Sequence, residues 1–205
     1  MKKLLLMLFV SMCMIAYSQK ITLVSGDFSV LKDQTEVNVE LVFDNVLFQA
    51  ENLSETKYLE NRKNEILANP KNTKDDWVKW NDEWTAFKET KYIEKFLKGI
   101  NHKSKNIVFK NNIQSKYTLV VKTRWIYAGW SGGFVMQPAK LTSEIKLVET
   151  DNHSKILFNV DSPMIEGVGI RENPNKEYIM EYGRISVAYE KTGRLLWKDI
   201  AKQNK

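Results

Sequence analysis

Cys13 is the only cysteine in this 205-residue chain. One thiol closes no internal disulfide and makes no Cys-x-x-Cys metal pair, so stability has to come from a packed core. Histidine is almost as scarce. His102 and His153 are far apart in sequence, and without thiolates beside them they predict no zinc centre. No internal repeat or low-complexity tract is present, and no metal or other cofactor is expected. Lysine and arginine exceed the acids to give a formal charge of +6, but the two signs alternate along the whole length. That pattern is a solvated surface rather than a nucleic-acid stripe, and no nucleic-acid partner is expected.

The first eighteen residues carry the clearest signal. Lys2 and Lys3 precede an apolar run from Leu4 to Ala16, and small residues stand at Ala16 and Ser18 just before Gln19. A charged start, a short apolar core and small residues at −3 and −1 make a secretory signal peptide. The run is about 13 residues, short of the roughly 20 that a permanent membrane helix needs. Residues 1–18 are therefore read as a signal peptide and 19–205 as one exported domain, periplasmic or secreted, with no transmembrane segment in the mature chain. Cys13 lies within the apolar run, follows Met12 and leaves with the leader, which disfavours a lipid anchor.

Across the 205 residues, six Trp, eight Tyr and nine Phe argue for a folded, aromatic-rich domain. Ile21 to Leu31 reads as a strand interrupted at Ser25-Gly26-Asp27 by a bulge or bend. Val37, Val39, Leu41 and Phe43 alternate as a second strand, expected to pair antiparallel with the first. Ser54 caps a helix that Asn69-Pro70 ends. Asp75 to Asn101 is the strongest helical signal. Trp77, Trp80, Trp84 and Phe87 form one stripe and Ile93, Phe96, Leu97 and Ile100 another, offset around Glu89 to Lys91, which predicts a kink or a change of packing partner. Its early acids, Asp75 and Asp76, suit the helix dipole, and with Asp82 and Glu83 they lack the loop spacing of a calcium site.

Ile107 to Phe109 is a short strand. Tyr117 to Tyr127 and Ala139 to Leu147 keep period two on either side of a glycine-rich turn at 128–133, and a turn at Asp151-Asn152 leads to a strand at Ile156, Phe158 and Val160. Met164 to Arg171 reads as irregular. Asn173-Pro174 is a helix start, followed by a helical face from Tyr178 to Ile200 on which Gly183, Ser186 and Gly193 permit close approach to a sheet. The predicted class is α+β: an antiparallel-rich, mixed sheet with a C-terminal β-meander and helices packed on one side.

Two readings compete at the glycine-rich turn. Gly129-Trp130-Ser131-Gly132-Gly133 matches the G-x-S-x-G nucleophile elbow, making Ser131 a candidate nucleophile with His102 or His153 as base. The elbow needs a helix after the serine, whereas β pattern follows here. The other reading is a binding tip: Trp125, Tyr127, Trp130 and Phe134 crowd one hairpin end, with Trp125 and Tyr127 expected to face the core and Trp130 and Phe134 to be the binding candidates. Arg124, Arg171, Arg184 and Arg194 read as ordinary surface charges.

The segments Gly26-Asp27-Phe28-Ser29-Val30-Leu31-Lys32, Tyr117-Thr118-Leu119-Val120-Val121-Lys122-Thr123 and Ala188-Tyr189-Glu190-Lys191-Thr192-Gly193-Arg194-Leu195-Leu196 carry a family resemblance. With the tryptophan helix, Gly129 and Pro138-Ala139, they resemble uncharacterised secreted proteins of Bacteroidetes, a family with no assigned activity. More distantly, the strand and helix order resembles small envelope domains of the TolB N-terminal and penicillin-binding-protein-activator type, which act by protein contact. The resemblance implies a non-enzymatic envelope protein with a protein partner. A small serine hydrolase using Ser131, or an apolar or carbohydrate ligand-binding protein, are the alternatives.

Overall fold

The computed structural model describes residues 19–132, 136–167 and 180–203. A seven-stranded sheet holds β1 (Thr22–Gly26), β2 (Glu36–Val42), β3 (Leu47–Phe48), β4 (Val108–Lys110), β5 (Tyr117–Tyr127), β8 (Ala139–Glu149) and β9 (Asn152–Gly167). The path runs β1-β9-β8-β5-β2-β4, and β3 adds to β5 beyond the end of β2. Between β5 and β8 a small hairpin forms from β6 (Trp130–Ser131) and β7 (Met136–Gln137). The strands β5, β8 and β9 are the predicted meander, antiparallel throughout. The order beyond it is mixed, because β2 lies parallel to both β4 and β5.

The first two strands do not pair with each other, contrary to the expectation from their pattern. β1 lies at one edge against β9, while β2 lies between β5 and β4. Alternation dictates which face a strand buries, not which neighbour it takes. The bend at Gly26 is real: the register with β9 slips between Leu23 and Ser25, and Gly26 has φ +83, with a Cβ there 2.0 Å from the Leu157 carbonyl oxygen. Met164 to Gly167 is strand rather than irregular. It pairs with Ala139 to Leu141 across a register slip, a device that lets β9 continue past a mismatch.

Rows of side chains on the inner face build the core. Val39, Leu119, Leu147 and Phe158 are register neighbours on four adjacent strands, and all are buried. The opposite face carries Lys122, Arg124, Glu144 and Lys146, half-buried or exposed, with Glu144 paired to Arg124 and Lys146, and Lys122 paired to Asp44. On the inner face pack α3 (Tyr92–Ile100), against β2 and β4, and α4 (Glu181–Gln203), against β8 and β9. α1 (Glu55–Ala68) contacts β3 and α2 (Lys74–Ala86).

Local signals explain the helix boundaries. The Ser54 hydroxyl accepts from the Lys57 N–H, and Thr73 with Asp76 forms a capping box at the start of α2, so those early acids have a structural role. The offset between the two apolar stripes has a definite cause: a π-helical turn over Phe87–Lys91 joins α2 to α3. One extra residue in the turn rotates the buried face. Trp80 and Trp84 thus pack on Arg62 and Tyr58 of α1 and Phe48 of β3, and Phe87 on Tyr182 of α4, while Phe96 and Ile100 point at the sheet and α4. α4 is described from Glu181, and the Asn173-Pro174 start lies outside the described residues. Gly183 and Ser186 are buried, but Gly193 meets α3 rather than the sheet. The glycine that admits α4 onto the sheet is Gly167 of β9, where a Cβ would lie 2.0 Å from the Arg184 carbonyl oxygen.

Among the described residues no helix is long and apolar enough to cross a membrane.

Candidate functional site at the end of the sheet

The sheet has two ends, and they carry different chemistry. β5 begins beside Asn38 of β2 and Glu149 of β8 and ends beside Phe48 of β3 and Lys140 of β8. Its ten residue steps at about 3.4 Å each separate the ends by roughly 34 Å. His153 sits one residue into β9, beside the start of β5. His102 follows α3, next to Asn101, whose side-chain amide both donates to the Phe109 carbonyl and accepts from the Phe109 N–H of β4. Both histidines therefore lie at the starting end, and Ser131 lies beyond the finishing end. Ser131 is also in strand β6, paired with Met136, and not at a strand-to-helix turn. The structure does not bring together the three parts of a Ser-His-acid triad, which need hydrogen-bond contact.

At the finishing end a cleft of about 860 Å³ opens between the β6–β7 hairpin, the loop after β3, α1 and the start of α4. Trp130 stands on its rim, 46% exposed. The local backbone fixes it there. Gly129 has φ +67, and a Cβ on it would come within 2.4 Å of the Gln137 carbonyl oxygen, so only glycine lets the chain turn out of β5 into β6. Trp130 pairs with Gln137 across the hairpin, and the Tyr127 hydroxyl is hydrogen-bonded to the Gln137 side chain.

Trp125 and Tyr127 do not face the core. The β5–β8 register slips between Thr123 and Trp125, so the buried positions change from Leu119, Val121 and Thr123 to Ile126 and Ala128. A bulge inverts the phase of everything after it. Trp125 and Tyr127 stack on each other, half-buried, on the polar face, and the Trp125 Nε1 donates to the Gln49 carbonyl. Gln49 itself has φ 60 and donates its N–H to Ile126, which staples the loop after β3 to β5. Its side-chain oxygen Oε1 is buried and has no partner. Phe134, the other sequence-based binding candidate, lies outside the described residues.

The floor of the cleft holds charges that the sequence reading passed over. Arg184 is only 2% exposed and donates from Nε and Nη2 to the Ala128 carbonyl at 3.4 and 3.2 Å. This overturns its assignment as a surface charge. Glu181, one turn earlier on α4, is buried and meets Arg62 of α1, Nε to Oε1 at 2.5 Å. Arg62 also bonds Glu65 at 3.0 Å and lies 5.5 Å from the centre of the Trp80 ring. Burial pulls the Arg184 guanidinium below its ordinary value against the opposing pull of Glu181. Burial also acts downward on Arg62, but Glu181 and Glu65 outweigh it and hold Arg62 above its ordinary value. Burial and the Glu181 charge push the Tyr58 phenol well above the ordinary tyrosine range. The spacing Glu181, Arg184, Ala188 on the buried side of α4 was the one sequence signal for this cluster.

Behind the floor, Trp77, Trp80 and Trp84 stack in a ladder at 5.5 and 5.6 Å. Trp84 is 1% exposed, touches Phe48 and Tyr58, and donates from Nε1 to Glu55, which also binds Lys88. The tryptophan stripe is core, and it backs α1 where α1 forms the cleft wall. Chemically, the cleft offers an aromatic face, a fixed ion pair and the Asn61 side-chain amide, with neither a histidine nor a thiol among its described lining residues.

No family model, no curated protein and no solved structure matches this chain.

Proposed function

We propose that the protein is an exported, non-enzymatic envelope component that works by binding, and that it engages its partner through the Trp130 hairpin and the cleft behind it. The supporting observation is Trp130, a large aromatic held 46% exposed on the first strand of the small hairpin, beside a cleft that is lined by aromatic, amide and charged groups. Exposed tryptophans on rigid supports dominate contact energy, because they desolvate a large area and little freedom remains to be lost. The signal-peptide pattern of residues 1–18 supports a role outside the cytoplasm, as does the resemblance to secreted Bacteroidetes proteins and to envelope domains that act by contact.

A photoreactive residue at position 130, in cells of the source organism, tests the reading. A discrete adduct is expected from position 130, and none from Val78, which is exposed on α2. Equal capture from both positions, or from neither, overturns the assignment of this surface. Stoichiometric labelling of Ser131 by a fluorophosphonate in the folded protein would replace the binding reading with a hydrolase.

A further inference from the structure

Resting on the binding role proposed for this cleft, we infer that it is a carbohydrate site that takes uncharged pyranose rings, stacked on Trp130 and hydrogen-bonded to Asn61 and Arg62. Its volume of about 860 Å³ falls within the roughly 300–1,000 Å³ usual for small-ligand sites. The composition of its walls then selects the ligand.

An apolar ligand fits poorly. It would seal the half-buried Asn61 amide and the partly exposed Arg62 side chain from water and offer them nothing, and an unsatisfied buried polar group costs about 1–3 kcal/mol, more for a charged one. An anionic ligand fits no better. Glu51, Glu65 and Glu181 line the cleft against Arg62 and Arg184, and each arginine already has an oxygen partner. A carboxylate or phosphate would enter a cleft whose acids outnumber its bases.

Hydroxyl groups meet the remaining demand, since each both donates and accepts. Asn61 offers both functions, and the half-buried Arg62 lines the cleft beside it. The axial C–H groups of a pyranose carry slight positive charge and sit well on the electron-rich indole face. That face is on the rim, where a ring of an extended chain could lie across it while its neighbour enters the cleft. The β6–β7 pairing and Gly129 fix the backbone that carries the indole before the ligand arrives, which reduces the ordering cost of binding.

The test is titration of the mature protein, starting at Gln19, with three tetrasaccharides: cellotetraose and chitotetraose, both neutral, and tetragalacturonate, which is anionic. Intrinsic tryptophan fluorescence and calorimetry are the readouts. A neutral probe is expected to bind and shift the emission, with tetragalacturonate at least about tenfold weaker. Trp130→Ala is expected to weaken the neutral probe by about tenfold or more, and Asn61→Leu, a wall substitution that leaves both members of the Arg62–Glu181 pair present, to weaken it without altering the circular dichroism spectrum. The inference is overturned if neither neutral probe binds, if the acidic probe binds more tightly, or if Trp130→Ala leaves the affinity unchanged. A protein adduct from position 130 without any oligosaccharide binding would remove the carbohydrate inference and leave the binding role. Absence of both would remove both.

Discussion

Gly99 of α3 and Gly193 of α4 meet where the two helices cross: a Cβ on Gly99 would stand 1.9 Å from the Glu190 carbonyl oxygen, and one on Gly193 would stand 2.4 Å from that of Phe96. Backbone touches backbone there, with no side chain able to yield. Gly193→Ala should therefore destabilise the protein by about 2 kcal/mol or more through overpacking, despite the better helix propensity of alanine. Urea denaturation measures the change. A stabilised variant would mean that α3 and α4 can separate freely.

Trp84→Ala removes the centre of the aromatic cluster formed with Phe48, Tyr58 and Trp80 and leaves Glu55 without its indole donor. The loss of transfer energy and the remaining cavity together are expected to cost about 3 kcal/mol or more. A loss below about 1 kcal/mol would show that the ladder contributes little to the core.

Much of this was legible in the sequence because it rests on local periodicity. Ser54, the Asn69-Pro70 stop, the long alternating strand at Tyr117 and the offset stripes around Glu89 are each written within a few neighbouring residues. What was not legible depends on distant partners. The pairing of β2 with β4 and β5 depends on a crossing at Asn38, and the inversion of Trp125 and Tyr127 depends on one bulged residue. Arg184 looks like any helix charge until the Ala128 carbonyl and Glu181 are set beside it. The sequence pointed to the hairpin of Trp130, whereas the charged floor of the cleft beside it comes from α1 and α4, more than fifty residues away on either side.

Asn38 illustrates the non-local part. Between β4 and β5 the chain passes from one side of β2 to the other, and Asn38 holds the passage. Its Oδ1 accepts from the Ile113 N–H at 3.3 Å, its Nδ2 donates to Thr118 Oγ1 at 3.3 Å, and its N–H donates to Ser115 Oγ at 2.9 Å. Asn38→Leu preserves volume but strands the Ile113 amide, so a cost of about 2 kcal/mol is expected. Hydrogen exchange should quicken first at Ile113 and Thr118. Uniform loss of protection instead would assign Asn38 no special role at the crossing.

Tyr58, Tyr92 and Tyr189 are buried, and burial raises all three phenols above their ordinary value, more than offsetting the Thr123 hydrogen bond at Tyr189. A group whose folded pKa is raised has its stabilising effect in full below the unfolded value, near 10. That effect is lost as pH climbs from there toward the folded value, because only the unfolded chain can ionise. The protein should therefore unfold cooperatively above about pH 10, with the tyrosinate absorbance of these residues rising together with loss of the far-ultraviolet circular dichroism. Early tyrosinate formation in an intact fold, beyond that of the more exposed tyrosines, would contradict the burial of these phenols.

Glu181 and Arg62 differ in what each leaves behind when removed. Glu181 is the buried anion that faces Arg62 directly and acts electrostatically on Arg184, so Glu181→Gln leaves two guanidinium groups with less compensation at the cleft floor. Breaking a fully buried pair costs about 3–5 kcal/mol. Arg62 is partly solvated, its side chain 27% exposed, so water offsets part of that and about 2 kcal/mol is expected. Arg62→Met should cost less, because Glu181 still feels Arg184 and the methionine keeps the apolar stem against Trp80. The difference should persist at high salt, since a buried charge is poorly screened. Denaturation of both variants at low and high ionic strength provides the check: equal losses that vanish with salt would make the pair an ordinary surface bridge and would remove the fixed charged floor from the cleft.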